Sequence, residues 1–185
     1  MTKIILGFVG EIASGKGTAC AYITKKYSAG THRYSTILRD VLDRLYIEKS
    51  RENMQKVSLI LRENLSQEIF ARVIAEDVKN DPAEIVCVDG IRRLPDIAHL
   101  QQLPNFYLIN IIADEKTRYK RIVLRSENSD DKNKTFTQFQ KDHEAETEQT
   151  IRQIASHSTI TLDNNGTRED LEKNIDALIE KLKQN

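Results

Sequence analysis

The residues with the most readable chemistry are a lysine and a threonine closing a glycine-bounded stretch, Gly10-Glu11-Ile12-Ala13-Ser14-Gly15-Lys16-Gly17-Thr18. Glycines at its two ends let the backbone curl until successive N–H groups point inward, which makes a concave anion site. An apolar run, Ile4 to Val9, precedes it and a helical pattern, Ala19 to Tyr27, follows. The same anion would therefore face the positive end of a helix. Gly10, Ala13, Ser14, Gly15, Lys16, Gly17 and Thr18 are expected to cradle a nucleotide's phosphates, with the Lys16 ammonium on the β- and γ-phosphates. The plainer alternative is a Gly/Ser-rich turn between a strand and a helix. Gly17 follows the lysine directly, so the usual magnesium-ligating hydroxyl at that place is missing and comes one residue later, at Thr18.

One acid and several arginines could complete a phosphoryl-transfer site. The apolar run Ile85-Val86-Cys87-Val88 ends in Asp89-Gly90-Ile91-Arg92-Arg93. An acid at the carboxyl end of a parallel strand stands where ligands bind in α/β sheets. Asp89 is placed to hold a metal's water. The guanidinium forks of Arg92 and Arg93 suit a phosphate; otherwise they are exposed residues of a strand-end turn. Arg121 and Arg125, on a helix that also carries Arg118, are four apart and share one face, with Glu115 and Glu127 as alternative ion-pair partners. Arg51 and Arg62 are candidate phosphate ligands, or part of a solvated helix face. His32 reads as structural, because no carboxylate or cysteine lies near it in sequence.

Gly15-Lys16-Gly17-Thr18 resembles the loop ending of adenylate kinases, while Gly7-Phe8-Val9-Gly10-Glu11-Ile12-Ala13-Ser14 looks more like dephospho-CoA kinase. Both belong to one superfamily of small P-loop kinases. The resemblance implies a P-loop NTPase fold: five parallel strands in the order 2-3-1-4-5, with helices on both faces. It implies ATP and Mg2+ as cofactors, the metal largely water-coordinated, which tolerates Gly17; Thr18 and Asp89 would hold it through water. Asp89 to Arg93 is similar to a segment of adenylate and deoxynucleoside monophosphate kinases whose arginine grips the acceptor phosphate. Ala113 to Arg125 looks like the helix that leads into the lid; there Arg121 would pack on adenine and Arg125 would reach the phosphates. The turn holding Asn164 and Gly166 would lie beside the adenine, and Ser35 and Arg39 at the acceptor. A helical insertion, about 36–80, would close over the acceptor, and the polar stretch about 126–135 would be a lid.

Strands alternating with helices must position these groups. Strands are expected over Lys3–Val9, weakly over Thr31–Ser35, then at Glu84–Val88, Phe106–Ala113 and Ser158–Leu162. The first helix should stop at Gly30. Thr36–Tyr46 reads as a helix, and Arg51–Lys79 as one long helical region whose stripe of Met54, Val57, Leu61, Leu65, Ile69 and Val73 faces the core. Pro82 ends it. A short helix follows at Pro95–Gln102, and Asp114 caps the next. Thr135 and Gln138 form a capping box for a helix running to about Ser156, whose glutamates 144, 146 and 148 read as a solvated face. Thr167 caps the last helix, with Leu171, Ile175, Leu178 and Leu182 as its buried side.

The 185 residues suit one domain with a sizeable core. Lysine plus arginine and aspartate plus glutamate number 28 each, and this zero net charge argues against a dedicated nucleic-acid-binding protein. The two cysteines, Cys20 and Cys87, read as buried thiols of a reducing compartment, and no signal peptide or membrane span is legible, which leads to a cytoplasmic expectation. The leading expectation is a phosphotransferase that moves the γ-phosphoryl of ATP to a small phosphorylated acceptor, a nucleoside or deoxynucleoside monophosphate. A dephospho-CoA-kinase-like enzyme acting on a hydroxyl is the alternative; it wants an acid after the second strand, where Tyr34-Ser35-Thr36 has none and Asp40 lies a turn further on. A nucleotide-binding regulatory protein without turnover is the third reading.

Overall fold

The computed structural model describes residues 3–125, 134–143 and 146–184, and the side chains among them other than those of 125, 142, 143 and 146–148. Its five strands are β1 (Ile4–Val9), β2 (Gly30–Arg33), β3 (Ile85–Asp89), β4 (Phe106–Ile112) and β5 (Ile160–Asp163). All are parallel, as the alternation of strands and helices predicts, and their order is β2-β3-β1-β4-β5, as the resemblance implies. Every carboxyl end thus points to one rim of the sheet. β1 is buried along its whole length, which explains its near-continuous apolar sequence. Ile4, Leu6 and Phe8 face one layer and Ile5 and Val9 the other, the two-residue alternation of a strand.

The first layer is α1 (Lys16–Tyr27) and α9 (Arg168–Lys183), with Ala19, Cys20, Ile23, Leu171, Ile175 and Ile179 against the sheet. The opposite layer contains α4 (Ile69–Asn80), α5 (Leu94–Ile97) and α8 (Glu146–Ala155), with Phe70, Ile74, Val78, Ile97, Ile151 and Ile154 inward. Between β2 and β3 the chain also forms α2 (Tyr34–Arg44) and α3 (Arg51–Asn64); α6 (Glu115–Arg125) and α7 (Phe136–His143) follow β4. Cys20 and Cys87 are both free and buried. A hydrogen bond between them, and then burial, pushes the Cys20 thiol up.

Several boundaries differ from expectation for local reasons. Helix α1 stops at Ser28, held left-handed at φ 54°. Gly30 opens β2 instead, and a Cβ there would overlap the Asp81 carboxylate. The long region after Arg51 is two helices, and Leu65 at the break is 65% exposed, so it leaves the core stripe. The buried side of α4 is Phe70, Ala71, Ile74, Ala75 and Val78 rather than Val73. The segment from 94 is one α turn and a short 3-10 turn, Leu100–Gln102. The helix expected from Thr135 to Ser156 is described as α7 and α8. Both capping boxes form: Gln138 N–H donates to Thr135 Oγ1 at 3.2 Å and Asp170 N–H to Thr167 Oγ1 at 3.2 Å. Residues 126–133, most of the expected lid, and Glu144 lie outside the described residues.

Candidate functional site

The stretch from Gly10 to Lys16 wraps the carboxyl end of β1. Gly10 has φ 147° and Gly15 φ 111°, both open to glycine and strained for other residues. Space demands glycine too: a Cβ on Gly10 would overlap the Ile111 carbonyl, and one on Gly15 would overlap the Asn164 amide. Ala13, at φ 59°, completes the curl in the left-handed region. Ser14 is wholly buried and its Oγ has no hydrogen-bond partner among the described residues, an orphan polar atom inside the loop. Lys16 turns its Nζ back onto the carbonyls of Gly10 at 2.6 Å and Glu11 at 3.0 Å. Gly17 and Thr18 stand exposed on the first turn of α1.

Asn164 closes the loop from the β5 side. It is 5% exposed; its Nδ2 donates to the Ser14 carbonyl at 2.7 Å, and its own carbonyl accepts from Arg121 Nη2 at 2.8 Å. Burial lowers the Arg121 pKa, and Arg121 Nη1 is a second buried atom without a partner. Arg121, Asn164 and the loop therefore form one contiguous edge. Gly166 lies one step out in the exposed turn, where a Cβ would crowd Asp170, a partner of the Thr167 cap.

On the other flank, Asp89 ends β3 at the rim, its side chain 13% exposed. One of its oxygens accepts from Gly90 N–H at 2.8 Å, and the other pairs with Arg33 Nη2 at 2.8 Å. Arg92 and Arg93 are exposed on the following loop, and their backbone N–H groups are pinned by Asp96 Oδ2 at 3.0 Å each. Arg39 is exposed on α2 and donates to Ser35 Oγ at 3.0 Å; Asp40 beside it is exposed. A cleft of about 340 Å³ lined by Gly17, Thr24, Lys25, Thr31 and Arg33 opens next to this corner. The loop, Asp89, Arg33 and the Arg92–Arg93 segment all stand at the carboxyl rim, whereas Arg125 is at the last position of α6.

One expectation fails. Arg62 is neither a phosphate ligand nor a solvated residue. It is 7% exposed, pairs with Asp96 Oδ1 at 2.8 Å, donates to the Gln67 carbonyl at 2.6 Å and lies over the Phe70 ring. His32 is structural, as expected, but it has a carboxylate partner after all: Asp81, distant in sequence, at 2.8 Å.

Several groups are not legible from the motif alone. Glu11, inside the loop, receives Arg118 at 3.0 Å and Arg152 at 2.9 Å. Arg118 is only 2% exposed and also donates to the Ala113 carbonyl at 3.0 Å. A cavity of about 260 Å³ beside Gly10, Glu11, Ser14 and Arg152 lies beneath this pairing. Arg33 is another, and its place as the last residue of a parallel strand was the available signal.

The chain's likenesses agree with this geometry. A family described as "AAA domain" (AAA_17) matches residues 9–140. A UPF0200 protein of Methanosarcina acetivorans is 30% identical over 188 residues, covering 100% of this chain and 98% of that one. Another, from Hyperthermus butylicus, is 27% identical over 128 residues, or 69% of this chain and 68% of its own. Among solved structures, TT1252 from Thermus thermophilus reaches a TM-score of 0.64 at 19% identity over 98% of this chain and 99% of that chain, a likeness of fold alone. Match and loop geometry together make the chain a member of the UPF0200 proteins and of the AAA_17 family of kinase-like P-loop domains.

Proposed function

We propose that the chain is an ATP-dependent kinase whose acceptor is a small phosphorylated molecule, most plausibly a nucleoside or deoxynucleoside monophosphate. The observation that carries this reading is the charge at the acceptor side of the rim: Arg33, Arg92 and Arg93 stand there, and Asp89 beside them is already paired. A phosphate acceptor is an anion that needs guanidinium forks and no strong base. ATP fits the loop, whose glycine cradle excludes a Cβ and whose Ser14 hydroxyl lacks a partner. Asp89 and Thr18 would hold Mg2+ through water. Among the described residues no three His, Cys, Asp or Glu gather into a cage, so phosphates and water would complete the shell, the usual arrangement for this ion. When bound, the pair supplies the phosphoryl group and neutralises its developing charge. Lys16 would leave its loop carbonyls for the β- and γ-phosphates. Arg121, with Asn164 and Gly166, would border the base, and Arg125 would reach the phosphates. Ser35, Arg39, Arg92 and Arg93 would hold the acceptor, with α2 to α4 covering it. No described helix is long and apolar enough to cross a membrane, which fits a small-molecule acceptor.

The test is a screen of acceptors by ADP release, followed by variants on the best one. Arg92→Ala with Arg93→Ala should weaken transition-state binding by about 2–5 kcal/mol, with ATP affinity little changed. Asp40→Asn should be mild. A loss on the order of a hundredfold at Asp40, with mild arginine effects, would favour a hydroxyl acceptor. ATP binding without any turnover would favour a regulatory protein.

A further inference from the structure

Three features coincide at the corner between α1, β2 and β3. Arg33 and Asp89 are register partners on neighbouring parallel strands, so their side chains leave the rim together. They meet at 2.8 Å, with Asp89 nearly buried and Arg33 48% exposed. The same Nη2 lies 3.8 Å from where a Cβ on Gly17 would stand. A hydroxyl residue directly after Lys16 would therefore touch this guanidinium. The cation sits between Asp89 and Gly17, the position directly after Lys16, which carries no side chain.

We infer that Arg33 is a resident counter-ion for Asp89 and that a nucleotide-bound divalent ion reaches Asp89 only by displacing it. This rests on the proposed ATP site but adds a role for a residue outside the phosphate loop. Both Asp89 oxygens are engaged while Arg33 is in place, one by the guanidinium and the other by Gly90 N–H. A nearly buried carboxylate at the rim is thereby neutralised before ligand arrives, which keeps the corner folded without metal. Displacement frees a half-exposed guanidinium at the end of the strand that neighbours β3, from which the Arg92–Arg93 loop leads, and an anionic acceptor would sit at that loop. Metal arrival and acceptor capture are then two faces of one exchange. Pairing that outnumbers the open state about ten to one weakens apparent metal affinity about tenfold.

The test measures Mn2+ binding by electron paramagnetic resonance with a non-hydrolysable ATP analogue, so turnover is not needed. Arg33→Gln should bind the Mn2+–nucleotide complex about tenfold tighter than the parent chain, and Arg33→Lys, which keeps a cation, should stay close to it. On an Asp89→Asn background, Arg33→Gln should make no difference. Circular dichroism melts confirm that each variant is folded. Unchanged or weaker Mn2+ affinity in Arg33→Gln, with nucleotide still bound, overturns the role of Arg33 alone. Nucleotide binding absent from the parent chain and every variant overturns the ATP site and this inference with it.

Discussion

Lys16 without ligand is held by carbonyls of its own loop, contacts that any ammonium could exchange for phosphate oxygens. The curl does not depend on it, because Gly10, Ala13 and Gly15 set the backbone and Asn164 ties it from outside. Lys16→Ala should abolish transfer and most of the thermal shift given by ATP, while the unliganded melting temperature moves by less than about 4 °C. Near-normal turnover would remove the phosphate-loop reading. Arg62 behaves in the opposite way. Arg62→Ala leaves Asp96 buried and short of a partner, so the variant should lose about 3–5 kcal/mol in a urea titration; a loss under about 1 kcal/mol would mean that the pair is dispensable. The loop was legible because its glycines, lysine and hydroxyl are contiguous. Arg62 was not, since the acid that buries it lies 34 residues away, and nothing local separates a buried arginine from a solvated one. Glu11 escaped notice for the same reason: Arg118 and Arg152 arrive from helices far along the chain.

Elements were readable where their ends carry chemistry. Thr135 and Thr167 cap as their spacing indicates, and β1, β3 and β4 are legible as apolar runs between breakers, whereas β2, Gly30-Thr31-His32-Arg33, carries no apolar residue and reads only weakly as a strand. The division of α3 from α4 was hidden, since an apolar stripe continues through Leu65 although that residue faces outward. Contacts between elements escape periodicity as well. Asp176 on α9 accepts from Tyr22 at 2.9 Å, Tyr27 at 2.7 Å and Lys26 at 2.7 Å, and so ties α9 to α1. Burial pushes its carboxyl up, but the three donors outweigh burial and hold it below its usual range. A depressed folded pKa contributes stability above the unfolded value, about 4, and loses it as the pH falls through the folded value. Asp176→Asn should therefore be less stable than the parent chain at pH 7, and the gap should close in denaturation curves taken well below pH 4. A gap independent of pH would mean that packing, not charge, joins the helices.

At the scale of the molecule, one carboxylate binds two functional regions into a single body. Asp96 holds the Arg62 end of α3 with one oxygen and the backbone of Arg92 and Arg93 with the other. Among the described residues the far end of α3 has no buried ion pair of this kind, and the connection from α2 runs through Leu45, Tyr46 and Ile47, which are 56%, 91% and 45% exposed. Mechanically this is a lever with its fulcrum at Asp96. From Arg62 to Arg51 the arm is ~17 Å long at helical rise, so a rotation of about 10° carries the tip ~3 Å. The tip, with the connection that precedes it, would swing while the arginine loop at the pivot stays in register with the sheet. Amide hydrogen exchange should accordingly be slow around Arg62 and Arg92 and fast across 45–53, and the tip alone should slow when nucleotide and acceptor are both bound. Uniform exchange along α3 would mean that the helix moves as a whole or not at all. A device of this kind would separate aiming from enclosing: the groups proposed to grip the acceptor would keep their station, and only the cover would travel.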